Sequence, residues 1–380
     1  MNPLPALNFR PLLAGFCITF LFLTPARSTN WQSASAPEYD RLFQNTNGWI
    51  GADGDFAVAL TNNLTLWLFS DTFIGEVRDG RRTNATMIHN SIALQHDIDP
   101  TRARLEFLYR HAPGGQPDSF LKPADGKGWF WLFDGSLIGG KLFLFLTQIE
   151  PTGDKSVFGF RRLGASLGEV ANPFAPPAQW RVTQEKIPFV ANGPDGHRFF
   201  GSALLVTNGF VYIYGIRDRP GAGKSMILGR APAAGLDDFA TWQFRTRNGW
   251  DTNVESAADL CPGMADEYSV SWSSYLQQFV LIYTENGLSA KILARTASEP
   301  WGVWSRPTVI YRCPEANGNK HIFCYAAKAH PQLSPDTDEL IVTYAANAYE
   351  FAQIMNDARL YWPRFVRVKF PENLKATTPP

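Results

Sequence analysis

The sequence is short of charge, of cysteine and of histidine. Charged residues make up 18% of the 380 positions, and Lys plus Arg balances Asp plus Glu at 35 each. That balance leaves no basic footprint for nucleic acid or an anionic membrane surface, so a neutral partner fits better. Cys261, Cys313 and Cys324 lack paired C-x-x-C spacing, which argues against a zinc site. In an oxidising compartment Cys313 could pair with Cys324 around a short loop, leaving Cys261 over. Other signals are missing too. There is no H-E-x-x-H helix, Walker loop or dinucleotide fingerprint, so zinc-protease and nucleotide-driven readings lack their motifs.

What is present points to strands and turns. Hydrophobic residues reach 45% and aromatics 14%, with 31 Gly and 27 Pro, a profile of short strands and tight turns rather than long amphipathic helices. At the N-terminus, Arg10, the apolar run Pro11 to Thr24 and then Ala26-Arg27-Ser28 read as a cleavable leader over residues 1–28. The run is shorter than the roughly 20 apolar residues of a membrane span. Bulky Phe16 before Cys17 argues against a lipoprotein signal. The expectation is a secreted or periplasmic monomer with no stable membrane insertion after cleavage of the leader. A mature chain of roughly 350 residues suits one repetitive all-β domain, expected over 29–374, with a loose tail at 375–380.

The repeat is internal. Five times a short strand, a turn and a strongly apolar strand recur: 55–60 with 64–69, 134–138 with 141–146, 201–205 with 210–214, 268–272 with 279–283, and 330–333 with 339–344. The turns Thr61-Asn62-Asn63, Gly139-Gly140 and Thr207-Asn208-Gly209 suit hairpins. Third strands ending in Arg161, Arg230 and Arg295 are followed by Trp180, Trp242 and Trp304. Four antiparallel strands per unit, repeated radially, predict a five-bladed β-propeller. A two-sheet sandwich also uses short strands, but it does not explain the hairpin, Arg and Trp recurrence.

In such a fold the start of each innermost strand and the end of the next lie on one face. That places Asp53, Asp55, Asp71, Asp134, Ser202, Glu267 and His330 at one end of the axis. Their neighbours, such as Leu66-Trp67-Leu68-Phe69, are apolar, so buried carboxylates there need a reason. Carboxylates facing one cavity raise one another's pKa, which separates a general acid from a base or nucleophile, as glycoside hydrolysis requires. The catalytic candidates are Asp53, Asp55, Asp71, Asp134 and Glu267, although Gly51-Ala52-Asp53-Gly54-Asp55 also reads as an ordinary turn. Trp67, Trp131, Ser202, Tyr268, Tyr325 and His330 are candidates for sugar contact, against a background in which most Trp belong to the core.

This arrangement resembles the five-bladed propeller glycosidases of glycoside hydrolase family 43, typified by arabinanases and β-xylosidases. The resemblance implies a general base at Asp53 or Asp55, a pKa-tuning acid at Asp134 and a general acid at Glu267. It also implies that His330 could stand beside a structural Ca2+ in the channel; the sequence itself requires no cofactor. The wording Gly51-Ala52-Asp53-Gly54 followed by Leu66-Trp67-Leu68-Phe69-Ser70-Asp71-Thr72-Phe73 is closer to the family known as domain of unknown function 4185, which includes endo-D-arabinanases. There the matching acids are Asp53 and Asp71. The expected function is a glycosidase acting on a glycan that could contain arabinofuranosyl units. The alternatives are a non-catalytic propeller binding a glycan or protein, and a different lyase or hydrolase on the same scaffold.

Overall fold

A computed structural model describes residues 30–194, 196–335 and 337–372. The expected leader and C-terminal tail lie outside the described residues. Strands dominate, and the α-helices among the described residues are two short ones, Pro37–Asp40 and Phe351–Asn356.

Five antiparallel sheets of four or more strands follow one another along the chain. The first joins Phe56–Thr61, Leu64–Phe69, Ser91–His96 and Arg104–Leu108. The second joins Trp129–Ile138, Lys141–Pro151, Phe160–Val170 and Val182–Lys186. The third is built on Gly196–Thr207, Phe210–Arg219 and Gly223–Pro232, and the fourth on Tyr268–Ser273, Gln278–Thr284, Lys291–Ala297 and Thr308–Arg312. The fifth runs Ile322–Ala329, Glu339–Ala348, Pro363–Lys369, and its outer strand is Gln32–Ser35 from the other end of the chain, with Gln32 opposite Lys369.

The turns explain the hairpins. Gly139 and Gly140, at φ 58° and 81°, join Ile138 to Lys141, and Asn208 and Gly209, at φ 52° and 77°, join Thr207 to Phe210. Both central residues sit in the left-handed region that a two-residue hairpin matching the strand twist requires. Each innermost strand packs on the next, from Phe56–Thr61 through to Ile322–Ala329. The circle closes where Lys328 Nζ donates to the Gly54 carbonyl and Gln332 Nε2 to the Ala57 carbonyl.

Four innermost strands carry a register shift: between Ala59 and Thr61, between Leu132 and Gly135, between Phe200 and Ala203, and between Tyr325 and Lys328. A bulge of this kind re-aims side chains without ending the strand.

Two sequence expectations need correction. The fifth innermost strand is Ile322–Ala329 rather than 330–333, which forms a short 3-10 turn; Pro331 has no N–H for a ladder. A three-stranded sheet of Asn47–Ala52, Thr72–Arg78 and Arg81–Ile88 interrupts the first unit. Trp180, Trp242 and Trp304 are buried as the repeat implied, while Cys313 and Cys324 are both buried free thiols.

Candidate active site

The site begins with two glycines. Gly54 has φ 91°, and a Cβ there would lie 2.9 Å from the Ser70 amide nitrogen; only glycine allows that approach. Across it, Ser70 N–H donates to the Asp53 carbonyl at 2.9 Å and Asp53 N–H to the Asp71 carbonyl at 3.3 Å. Gly51 has φ 138°, and a Cβ there would meet the Tyr361 carbonyl oxygen more closely still. The Gly-Ala-Asp-Gly segment is therefore a backbone clasp that sets Asp53 beside Asp71.

A pocket of about 460 Å³ opens over this clasp, lined by Asp53, Asp71, Glu267, Trp131, Tyr325 and Tyr361 among others. Tyr325 donates its hydroxyl to Asp53 Oδ2 at 2.6 Å. Asp53 Oδ1 is buried and has no hydrogen-bond partner. Burial, then the neighbouring carboxylates of Asp71 and Glu267, push Asp53 well above the ordinary carboxylate range; the bond from Tyr325 opposes them. The groups around Asp71 differ. Trp131 Nε1–H donates to its Oδ1 at 3.0 Å, and His89 Nδ1 lies 2.9 Å from the same oxygen. His89 in turn stacks on Trp129 with ring centroids 4.0 Å apart.

Glu267 faces a cation. Lys328, whose side chain is 2% exposed, reaches Glu267 Oε2 at 3.0 Å and also donates to the carbonyls of Gly54 and Ala326. The bulge at Tyr325–Lys328, with Ala326 at φ 59°, is what lets one strand present both Tyr325 and Lys328 to the acids.

A second charged group stands on the wall formed by the second and third sheets. Asp266 is bracketed by Arg162 Nη2 at 2.9 Å and Lys224 Nζ at 2.8 Å. Burial would raise the Asp266 carboxyl, but the two cations hold it well below the usual range. Around the mouth Phe158 and Leu288 are exposed, and Phe158 lies 5.8 Å from Phe323 between ring centroids.

The structure thus gathers Asp53, Asp71, Glu267, Trp131 and Tyr325. It separates the rest. Asp55 is fully buried below the pocket with both carboxyl oxygens unpartnered, and burial pushes it up to about 7. Asp134 and His330 instead line a smaller cavity of about 240 Å³ between the innermost strands. Asp134 accepts from Leu204 N–H at 2.7 Å and Gly135 N–H at 2.8 Å, although burial still raises it to about 7.

Four sugar-contact expectations are overturned by burial. Trp67 is fully buried in the core with its indole N–H on Gln95 Oε1 at 2.8 Å. Tyr268 is equally buried, its hydroxyl on the Gly215 carbonyl, and Ser202 is fully buried. His330 is buried against Trp67 with Nε2 2.7 Å from the Thr343 hydroxyl. Burial, with Lys328 nearby, holds the His330 imidazole well below its ordinary value. No group of three or more His, Cys, Asp or Glu side chains suited to a metal converges among the described residues. With His330 engaged in this way, the side chains there do not form the oxygen-rich cage that Ca2+ takes.

Sequence reasoning missed Lys328, His89, Tyr361 and the Arg162–Asp266–Lys224 group. Lys328 had a readable signal: a single lysine inside the apolar run Tyr325-Ala326-Ala327-Lys328-Ala329 needs a buried partner. Tyr361 had none, since its left-handed φ of 63° depends on the Gly51 contact across the chain.

A search of curated proteins finds no match. Among solved structures, a protein of Bacteroides ovatus ATCC 8483 described as a "putative hydrolase" superposes with a TM-score of 0.72 at 19% identity, over 94% of this chain and 96% of that one. The α-L-arabinofuranosidase of Podospora anserina, solved with cellotriose, superposes with a TM-score of 0.50 at 11% identity, over 90% of this chain and 98% of that one. The likeness is one of fold, and the fold is a β-propeller. The family model described as Domain of unknown function (DUF5005) matches residues 36–370, and the chain belongs to that family.

Proposed function

We propose that this protein is an exported glycoside hydrolase on a five-bladed propeller, with Asp53 and Asp71 as its carboxylate pair. The observation that supports this most is the Oδ1 atom of Asp53: buried, without a hydrogen-bond partner, and facing a pocket it shares with Asp71. A buried carboxyl raised by its neighbours can hold a proton at neutral pH and deliver it.

Hydrolysis breaks the bond between the anomeric carbon and the leaving oxygen, gives that oxygen a proton and gives the carbon the oxygen of water. Asp53 supplies the proton. Asp71, fixed by Trp131 and His89, serves the electron-poor anomeric carbon or its attacking water. This reverses the sequence-based assignment of the donor to Glu267, because Glu267 Oε2 is tied to the Lys328 ammonium and Glu267 instead raises Asp53. The resemblance of the blade-one wording makes arabinofuranosyl glycans the first substrates to try. The fold is shared with an arabinofuranosidase, which fits the same choice.

Arabinan, arabinogalactan and mixed bacterial glycans incubated with the protein should release reducing sugar. Asp53→Asn and Asp71→Asn should each abolish that release while leaving the fold intact. Glycan binding without turnover in the parent would replace the enzyme with a binding propeller.

A further inference from the structure

The catalytic reading does not use the wall opposite the carboxylate pair, where the charge has the other sign. Arg162 and Lys224 both line the pocket and both point at Asp266, so two cations surround one carboxylate. One positive charge there is left uncompensated by that acid. The Cζ of Arg162 lies over the Phe199 ring, 4.1 Å from its centroid, and its Nε is buried without a partner. Its side chain is 15% exposed and that of Lys224 29%. A guanidinium stacked on an aromatic ring is oriented in advance, which is the state in which it binds a planar oxyanion best.

This wall is distinct from the acids that act on the sugar. Trp131 stands between them: its N–H holds Asp71, and its ring packs on Phe160 at 4.5 Å. Phe160 and Arg162 share one face of the strand Phe160–Val170, since side chains alternate along a strand. A ligand lying across Trp131 would therefore meet carboxylates at one end and cations at the other. Asp259 is also held by two cations, Arg217 and Arg219, but neither of those arginines lines the pocket over the acids as Arg162 and Lys224 do. The second cation at Asp266 is explained by a ligand that brings a negative charge of its own.

Building on the glycosidase reading, we propose that Arg162 and Lys224 bind the carboxylate of a uronic acid unit in the glycan, with Asp266 holding both cations in place. The preferred glycan then carries a uronate beside the unit that is cleaved, and is favoured over an uncharged one by a charge that the neutral sugar lacks. Asp266 competes with the ligand for the same cations, so it also limits the affinity.

The test is calorimetric titration of the full protein with D-glucuronate, digalacturonate and D-glucose 6-sulfate, with xylobiose as the neutral control. Uronates should bind at least about ten-fold more tightly than xylobiose and weaken as salt rises. Lys224→Met should cost about ten-fold in uronate affinity and leave xylobiose unchanged. Asp266→Asn, which keeps the shape of the residue, should tighten uronate binding several-fold, whereas a merely structural ion pair predicts no gain. Uronates binding no better than xylobiose, or no tightening in Asp266→Asn, overturns the proposal, and preference for the sulfate ester over both uronates overturns the carboxylate assignment. Binding is read without turnover, so loss of this inference leaves the glycosidase reading standing, and inactivity on every glycan leaves this one standing.

Discussion

Tyr325 donates its hydroxyl to Asp53 Oδ2 across 2.6 Å, joining the fifth sheet to the segment that opens the first. Two residues far apart in sequence thus meet where the ring of strands closes, and there the Tyr325 hydroxyl opposes the burial and the neighbouring carboxylates that raise the proton affinity of Asp53. Donation to the carboxylate favours the ionised form. Tyr325→Phe should therefore raise the Asp53 pKa further and carry the alkaline limb of the activity profile to higher pH, measured as kcat/KM against pH.

Glu267 acts on the same acid with the opposite sign. Its charge raises Asp53, so Glu267→Gln should lower the Asp53 pKa and bring the alkaline limb to lower pH. A donor must be protonated to work, and the activity of the parent should fall as pH rises through the Asp53 pKa. An Asp53 that acted as a base would instead lose activity on the acid side, and that profile would decide against the donor role.

Trp131→Phe keeps the ring on Phe160 but removes the N–H that holds Asp71 Oδ1. We expect kcat to fall about ten-fold with the melting temperature nearly unchanged. A variant that melts much earlier would mean that the indole matters for packing rather than for Asp71.

Lys328 is buried with its charge on Glu267. Lys328→Met leaves that carboxylate buried without its cation and should cost about 3 to 5 kcal/mol in denaturant unfolding. Adding Glu267→Gln should restore part of the loss, because the stranded charge is then gone.

Asp55 gives a stability signature that activity cannot mimic. Its carboxyl is pushed up to about 7 by burial, so the folded state binds more protons than the unfolded state between the ordinary value and that one. Stability from this group is full at low pH and declines as pH rises toward 7. Asp55→Asn should match the parent near pH 4 and exceed it by about 4 kcal/mol above pH 7, read from urea unfolding at several pH values.

The repeat was legible because it is local. Gly139-Gly140 and Asn208-Gly209 mark their hairpins in the residues themselves, and the apolar strands beside them mark the core. Asp53 and Asp71 were legible because the turn and the strand end that carry them lie within one stretch of chain. The rest of the site depends on distant contacts. Nothing near Trp67 or Tyr268 distinguishes an aromatic that faces a pocket from one that fills the interior, and both turned out to fill it. Asp134 stood in register with the other acids, yet the bulge between Leu132 and Gly135 turns it toward the inner cavity. The role of Lys328 likewise follows from a bulge that no pattern of apolar and polar residues announces.

The strand Gln32–Ser35 lies on Pro363–Lys369, so two segments far apart in the sequence are woven into one sheet. During synthesis the strand Gln32–Ser35 has no partner in its sheet until Pro363–Lys369 has left the ribosome. The circle of sheets is completed late, beside the bond between Tyr325 and Asp53. A circular permutant that splices these two ends together and opens elsewhere would remove that wait.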